Sequence, residues 1–208
     1  MKPHSPPETD PASGAAAALP DGGDRACPDP VLAALAPSLA AFLTEVGLKT
    51  RTLEHEPVHT VDESQALRGA IPGAHTKNLF LKDKKGRLFL VVADEDCAVD
   101  LKVLHTRIGG QGRLSFASPD QMRERLGVEP GSATAFALLN DREGAVRLVL
   151  DEGLLVSDIW NCHPLTNRAT TSIARDDLMA FFARTGHEPL IAMLGTADHD
   201  DASNGRSS

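Results

Sequence analysis

The large apolar side chains of this chain are concentrated between Val31 and Leu194, and no other feature constrains its folding more. With 41% hydrophobic residues overall, that stretch can close one sizeable core, and 208 residues fit one domain with tails better than two full domains. Residues 1–30 are dominated by Pro, Ala, Gly and Asp and cannot bury enough apolar surface to offset the entropy of ordering them. Residues 196–208 read the same way. The expectation is one domain over residues 31–195 between two disordered tails. No apolar run approaches the roughly 18 residues of a membrane span, and the N-terminus lacks the basic-then-apolar layout of a signal peptide. Cys27, Cys97 and Cys162 are odd in number and without CxxC spacing, which points to a reducing, cytoplasmic setting and no disulfide framework.

A net charge of −8 argues at first against a nucleic-acid partner. The acids, however, crowd the ends. Residues 1–30 hold five acids and two bases and residues 196–208 three acids and one base, which leaves the body at −3. Between Lys77 and Arg125 ten Lys or Arg face seven Asp or Glu. That local excess permits an RNA-facing surface, although a charge run also reads as a plain solvated face.

Asp29-Pro30 opens a short helix to residue 36, and Pro37-Ser38 restarts it, with Leu39, Phe42, Leu43 and Val46 at helical spacing and Gly47 as the stop. Residues 48–56 lean towards a strand interrupted by Pro57. Thr60-Val61-Asp62-Glu63 has capping-box spacing and predicts a helix over 61–68, followed by a loop over 69–75. Residues 77–81 and 87–92 read as strands joined by the hairpin signal Asp83-Lys84-Lys85-Gly86. A short helix is expected over 100–105, and another from Ser118-Pro119, with Gln121 at its third position, to Gly127. Residues 136–139 and 145–150 are expected to form a second hairpin around Asn140-Asp141. Strands over 159–162 and 170–173, a helix over 176–185 closed by Gly186, and a last strand over 190–194 follow. Hairpins alternating with helices imply an α+β domain with a largely antiparallel or mixed central sheet.

Several chemical motifs fail on inspection. His55-Glu56-Pro57-Val58-His59 spells the zinc-protease string, but that chemistry needs both imidazoles on one helical face. Pro57 in a helix interior would cost about 3 kcal/mol, and the flanking residues read as strand. Cys162-His163 are neighbours on a strand and point to opposite faces, so this histidine is poorly placed to activate this thiol. Gly109-Gly110-Gln111-Gly112 lacks the strand-to-helix setting of a dinucleotide loop and reads as a flexible turn. No nucleophile elbow, P-loop or metal-ligand spacing is present.

Four segments remain: His75-Thr76-Lys77-Asn78 entering an apolar strand, Arg113-Leu114-Ser115-Phe116-Ala117-Ser118, residues 130–138 beginning Pro130-Gly131-Ser132, and His163-Pro164-Leu165-Thr166-Asn167. Singly, each reads as ordinary structure: an edge lysine, a helix cap, a small-residue turn, a Pro-Asn turn. Together with Glu56-Pro57-Val58, Asp100-Leu101-Lys102, Leu126-Gly127-Val128, Leu139-Asn140-Asp141 and Gly186-His187-Glu188-Pro189, they resemble the YbaK-like family of aminoacyl-tRNA deacylases. The likeness is greatest to its stand-alone prolyl-tRNA editing proteins, related to the insertion domain of bacterial prolyl-tRNA synthetase. It covers about residues 37–194.

The resemblance implies a single YbaK-like domain with a mixed, partly barrel-like sheet and flanking helices. It implies hydrolysis of an aminoacyl ester without metal or organic cofactor. Lys77 matches the family's essential lysine, with Asn78 beside it. Gly131, Ser132, Ala133, Thr134 and Ala135 match the loop whose backbone frames the amino-acid pocket, and His163 matches the pocket's histidine, with Asn167 in the same turn. Arg113 stands where relatives contact the acceptor end of the tRNA, and Lys82 and Arg168 are further candidates for that contact. The implied partners are the tRNA(Pro) acceptor end and, transiently, prolyl-tRNA synthetase or an elongation factor. One departure stands out: the family's loop usually ends in proline, and here that position is Ala135.

An aminoacyl ester is already activated, so positioning and charge stabilisation matter more than a strong nucleophile. Water, helped by the substrate's ribose hydroxyl, is the nucleophile the resemblance implies, with His163 orienting it or the substrate amino group. With 4% aromatics and no tyrosine, polar and phosphate contacts are expected to outweigh stacking. The leading reading is trans-editing of Ala-tRNA(Pro). The alternatives are the same fold acting on Ser-, Thr- or Cys-charged tRNA, or a non-catalytic tRNA- or synthetase-binding module.

Overall fold

The structure, a computed structural model, describes residues 29–56 and 71–195. The expected tails and the expected helix over 61–68 lie outside these residues, or nearly so. Pro30–Leu35 (α1) begins where the Asp29 carboxylate accepts the Leu32 N–H at 3.0 Å, and Pro37–Glu45 (α2) follows with proline again at its first position. Such starts use residues whose missing or satisfied N–H suits a helix N-terminus. Three further helices are described: Leu104–Arg107 (α3), Pro119–Leu126 (α4) and Arg175–Thr185 (α5). In α4 the Ser118 hydroxyl takes the Gln121 N–H while the Gln121 side chain takes the Ser118 N–H, the reciprocal cap its spacing predicts.

Eight strands form one mixed sheet: Thr50–Glu54 (β1), Ala74–Lys82 (β2), Leu88–Asp94 (β3), Ser115–Phe116 (β4), Val146–Asp151 (β5), Ile159–Cys162 (β6), Ala169–Ala174 (β7) and Leu190–Ala192 (β8). Their order is β1-β7-β6-β2-β3-β5-β8, with β4 paired to β2 off this path. β6 pairs β2, and β5 pairs β3 and β8, in parallel; the other pairs are antiparallel. This is the α+β, YbaK-like arrangement expected. β3 is the spine. Leu88, Leu90 and Val92 enter one core, and Phe89, Val91 and Ala93 enter a second on the opposite face. The first core joins α1, α2 and α5 to the sheet, where the Phe181 ring meets Phe42, Phe136 and Phe182 edge-on at centroid distances of 5.6, 5.5 and 5.9 Å. Leu104 and Ile108 help close the second.

Four local expectations differ from the structure. Residues 136–139 are not a strand: Ala135–Leu139 form a 3-10 helix, so the second hairpin does not exist. Ala135, Phe136, Ala137 and Leu138 are all buried, without the alternation of a half-covered strand, and the Thr134 hydroxyl caps the turn by accepting the Phe136 N–H at 3.4 Å. Asp141, expected in a hairpin loop, is instead a buried organiser: its carboxylate accepts the Ala145 and Val146 N–H groups and meets His187 Nε2 at 3.1 Å. β2 also begins earlier than expected, at Ala74 inside the presumed loop, and the helix placed over 100–105 lies at Leu104–Arg107 after a turn. The pairing of Ala74 and His75 with Trp160 and Asn161 recruits the start of β2, a contact far away in sequence.

Candidate active site

On one edge β2 is paired along its length by β3, from Thr76 to Lys82. On the other edge β6 takes Ala74 and His75, while β4 takes Leu81 and Lys82 and the Ala117 N–H donates to the Phe80 carbonyl. On that second edge, between β6 and β4, no strand among the described residues pairs with Lys77, Asn78 or Leu79, and the sheet carries a notch there. Strand alternation sends Lys77 to the face of Leu79 and Leu81, in the second core, and Asn78 to the face of Phe80, in the first. Asn78 Oδ1 is buried and has no hydrogen-bond partner among the described residues. Buried polar atoms are nearly always paired, so an orphaned amide oxygen beside a gap in the sheet marks a place for a donor.

The Lys77 ammonium donates to the Glu95 carbonyl at 2.9 Å and to the Cys97 carbonyl. An ammonium has three N–H donors, so one remains after these two. Burial, and then the negative Asp151, push the pKa of the adjacent Cys97 thiol up to about 11, which keeps it protonated near pH 7. Cys162 is likewise raised to about 11 by burial, and it packs in the first core with the Thr76 hydroxyl on its sulfur. A neutral, buried thiol is inert.

His163 follows β6. Its Nδ1 lies 3.2 Å from the Ala169 carbonyl, which can only accept, so Nδ1 carries the proton and a neutral ring would present Nε2 as an acceptor. Burial lowers the His163 pKa, the Ala169 carbonyl opposes this, and His55 and His75 add to the lowering while Glu95 counters it. His163 therefore stays neutral near pH 7. The same influences place His55, His75 and Glu95 around it, and the Glu95 N–H donates to the His75 carbonyl at 2.8 Å. His55 lies just beyond β1 with Nδ1 on the Glu56 carbonyl and Nε2 on the Thr170 hydroxyl. Its backbone is not helical, as the sequence argument against a zinc string required, and His59 lies outside the described residues. After His163, Leu165 adopts φ 63°, a left-handed backbone that a branched apolar residue rarely takes, so the turn carrying Asn167 is held under strain.

Residues 131–135 run into the 3-10 helix of the first core. Gly131 has φ 90°, a region favouring glycine, and a Cβ there would meet nothing within 4 Å, so conformation rather than space explains the residue. Ser132, Thr134 and Ala135 are buried and Ala133 half-buried. Among the described residues no hydrogen bond joins this loop to Lys77. The structure thus gathers Lys77 and His163 with His55, His75 and Glu95, and sets Asn78 and the loop on the side of the first core. Lys82 donates to Gln121 Oε1 at 3.3 Å, and Arg113 is exposed with no partner among the described residues. The Arg168 side chain is exposed while its carbonyl accepts the His55 N–H. Sequence reasoning left His75 and His55 without a role and missed Glu95. Two histidines flanking one strand–loop–strand segment were the only sequence trace of this cluster, and Glu95 left none.

Residues 55–181 match the model of the aminoacyl-tRNA editing domain, and the chain belongs to that family. It is 39% identical over 163 residues to prolyl-tRNA synthetase associated domain-containing protein 1 of Bos taurus, covering 76% of this chain and 95% of the relative. It is 36% identical over 151 residues to the prolyl-tRNA editing protein ProX of Acetoanaerobium sticklandii, covering 72% and 92%. Its fold is shared with a crystal structure described as a candidate trans-editing enzyme for prolyl tRNA synthetase, at 24% identity and a TM-score of 0.56, covering 71% of this chain and 87% of that one.

Proposed function

We propose that this protein is a trans-editing deacylase that hydrolyses mischarged Ala-tRNA(Pro), with residues 31–195 as the editing unit. The observation that carries the proposal is the notch itself: a lysine with one N–H donor left over, a neutral histidine offering Nε2, and an unpartnered amide oxygen border an unpaired stretch of strand. Lys77 would stabilise negative charge at the ester end, where a fixed cation acts in a site shielded from water. His163 Nε2 would accept a hydrogen bond from the attacking water or the substrate amino group, and its lowered pKa keeps that acceptor available at neutral pH. Asn78 would bind a substrate donor. Gly131, Ser132, Ala133, Thr134 and Ala135 would wall the side-chain pocket, whose small residues suit alanine and exclude larger groups by clash. Asn167 would support that pocket, and Arg113, Lys82 and Arg168 would meet the tRNA backbone. No step calls on a metal or an organic cofactor. The tRNA(Pro) acceptor end is the partner, with prolyl-tRNA synthetase or an elongation factor as transient companions, in a cytoplasmic setting. The prolyl-tRNA names of the relatives support tRNA(Pro) as the tRNA, and the small residues of the loop are the reason for choosing alanine over Ser-, Thr- or Cys-charged tRNA.

Deacylation of a panel of charged tRNAs tests it: Ala-tRNA(Pro) should be cleaved fastest, and Lys77→Ala should lose about 100-fold or more in turnover while melting near the parent temperature. No cleavage of any charged tRNA would leave a binding module, and undiminished turnover in the variant would remove Lys77 from the chemistry.

A further inference from the structure

Phe116 is 60% exposed, whereas Phe80, Phe89, Phe136, Phe181 and Phe182 are buried. It sits on β4, only two residues long, next to the Ser118 cap of α4, so both ends of its short segment are fixed. Its cross-strand partner is Leu81, and Leu114 two residues earlier is buried in the second core. Phe116 therefore projects on the face of β2 that carries Leu81, Leu79 and Lys77. Four residues along β2 separate Leu81 from Lys77, a rise of about 13 Å. Cations lie in the same segment: Arg113 is exposed without a partner among the described residues and the Lys84 stem lies against Gly112, while Lys82, cross-strand from Ser115, projects to the opposite face towards Gln121.

A single exposed apolar residue is ordinary. One held rigid on the lysine's own face, a few nucleotides' length from it and in a segment that also carries the exposed Arg113, is placed to meet single-stranded nucleic acid. We infer that Phe116 is a stacking platform for an unpaired base of the RNA 3′ end, upstream of the residue whose ester lies at Lys77. The inference rests on the proposed function and deepens it. It adds one stacking contact to the polar and phosphate contacts expected: the count of aromatics is low, but one of them is exposed. Phe116 is a positioning residue, acting on substrate affinity and not on the ester.

The test uses the full chain and an RNA hairpin with a short unpaired 3′ tail, compared with the same hairpin blunt-ended. Phe116→Ala and Phe116→Leu should each weaken tailed-hairpin binding about 10-fold or more, Phe116→Trp should restore it, and blunt-hairpin binding should be unchanged throughout. With charged tRNA, the loss should appear in KM and leave kcat alone, and hydrolysis of an aminoacyl-adenosine, which has no upstream base, should be equal in all variants. Phe116→Leu binding like the parent would overturn stacking in favour of an apolar protein contact, as would an equal loss on the blunt hairpin. If the parent hydrolyses no aminoacyl ester yet the tailed hairpin still depends on an aromatic at 116, the deacylase proposal fails and the platform stands.

Discussion

On one face of β6 and β7, Trp160, Cys162 and Ile173 pack at 0–2% exposure into the aromatic core around Phe181. On the other face of the same strands, Ser172 Oγ donates to Asn161 Oδ1 at 2.6 Å, Asn161 Nδ2 donates to the Pro72 carbonyl at 3.1 Å, and the Thr170 hydroxyl meets His55. Residues one apart along a strand thus serve different ends. The apolar face tolerates no missing volume, and the polar face no missing partner. The dry face fixes the strand positions, and the polar face uses that fixity to hold histidines and amides in one arrangement beside the notch.

The difference can be broken from the dry side first. Phe181→Ala removes the ring that three other aromatic rings contact, and unfolding in denaturant should show a loss of about 3–5 kcal/mol. On the polar side, Asn161→Ala strands the Ser172 hydroxyl and the Pro72 carbonyl, with an expected cost of about 1–3 kcal/mol and a disproportionate fall in deacylation, because His75 lies in register with Asn161. A stability loss without that fall would mean the polar face only supports the fold.

Acid titration separates the faces without mutation. His163 is depressed below the ordinary histidine range, so its neutral state is favoured by folding. The stability this represents is complete above the unfolded pKa of about 6.5 and is lost as pH falls from there through the lower folded value. Activity that depends on neutral His163 should stay level down through pH 6.5 and drop below it, and His163→Gln should flatten that limb. A drop centred at or above 6.5 would speak against His163 as the group responsible.

The smallest change concerns the loop. Thr134 is extended, with φ −155° and ψ 153°, the geometry a following proline requires, and Ala135 opens a 3-10 helix, where proline is tolerated. Ala135→Pro should fold, stiffen the pocket wall, and raise the ratio of Ala- to Ser-tRNA(Pro) hydrolysis severalfold. An unchanged ratio in a folded protein would show that residue 135 does not set selectivity.

Much of the frame was legible in the sequence where the signal is local. The Asp83 turn is an example: burial alone would raise its carboxyl, but the Gln111, Lys85 and Arg87 N–H groups and the Arg87 guanidinium hold it well below the usual range, and the hairpin forms as its spacing predicts. Ser118, Gln121 and Gly127 bound α4 as predicted for the same reason. Residues 136–139 were misread because a short apolar run has no period to decide between strand and helix. Lys77 and His163 stood out as residue types in motifs. The notch that gives them meaning did not, since it arises where β6, dozens of residues later, stops short of β4 along the edge of β2.

That gap has a further consequence for what the protein refuses. An unpaired strand edge ordinarily invites another polypeptide to add to it, and it is a common seed of aggregation. Among the described residues the opening on this edge spans only Lys77 to Leu79, closed at one end by β6 and at the other by β4, with the charged Lys77 at its β6 end. An incoming strand has too few positions to register, and any extension of it collides with the flanking strands. A compact terminus, presented end-on, meets no such obstruction. On the function proposed above, a gap this short favours the tip of a chain over its middle.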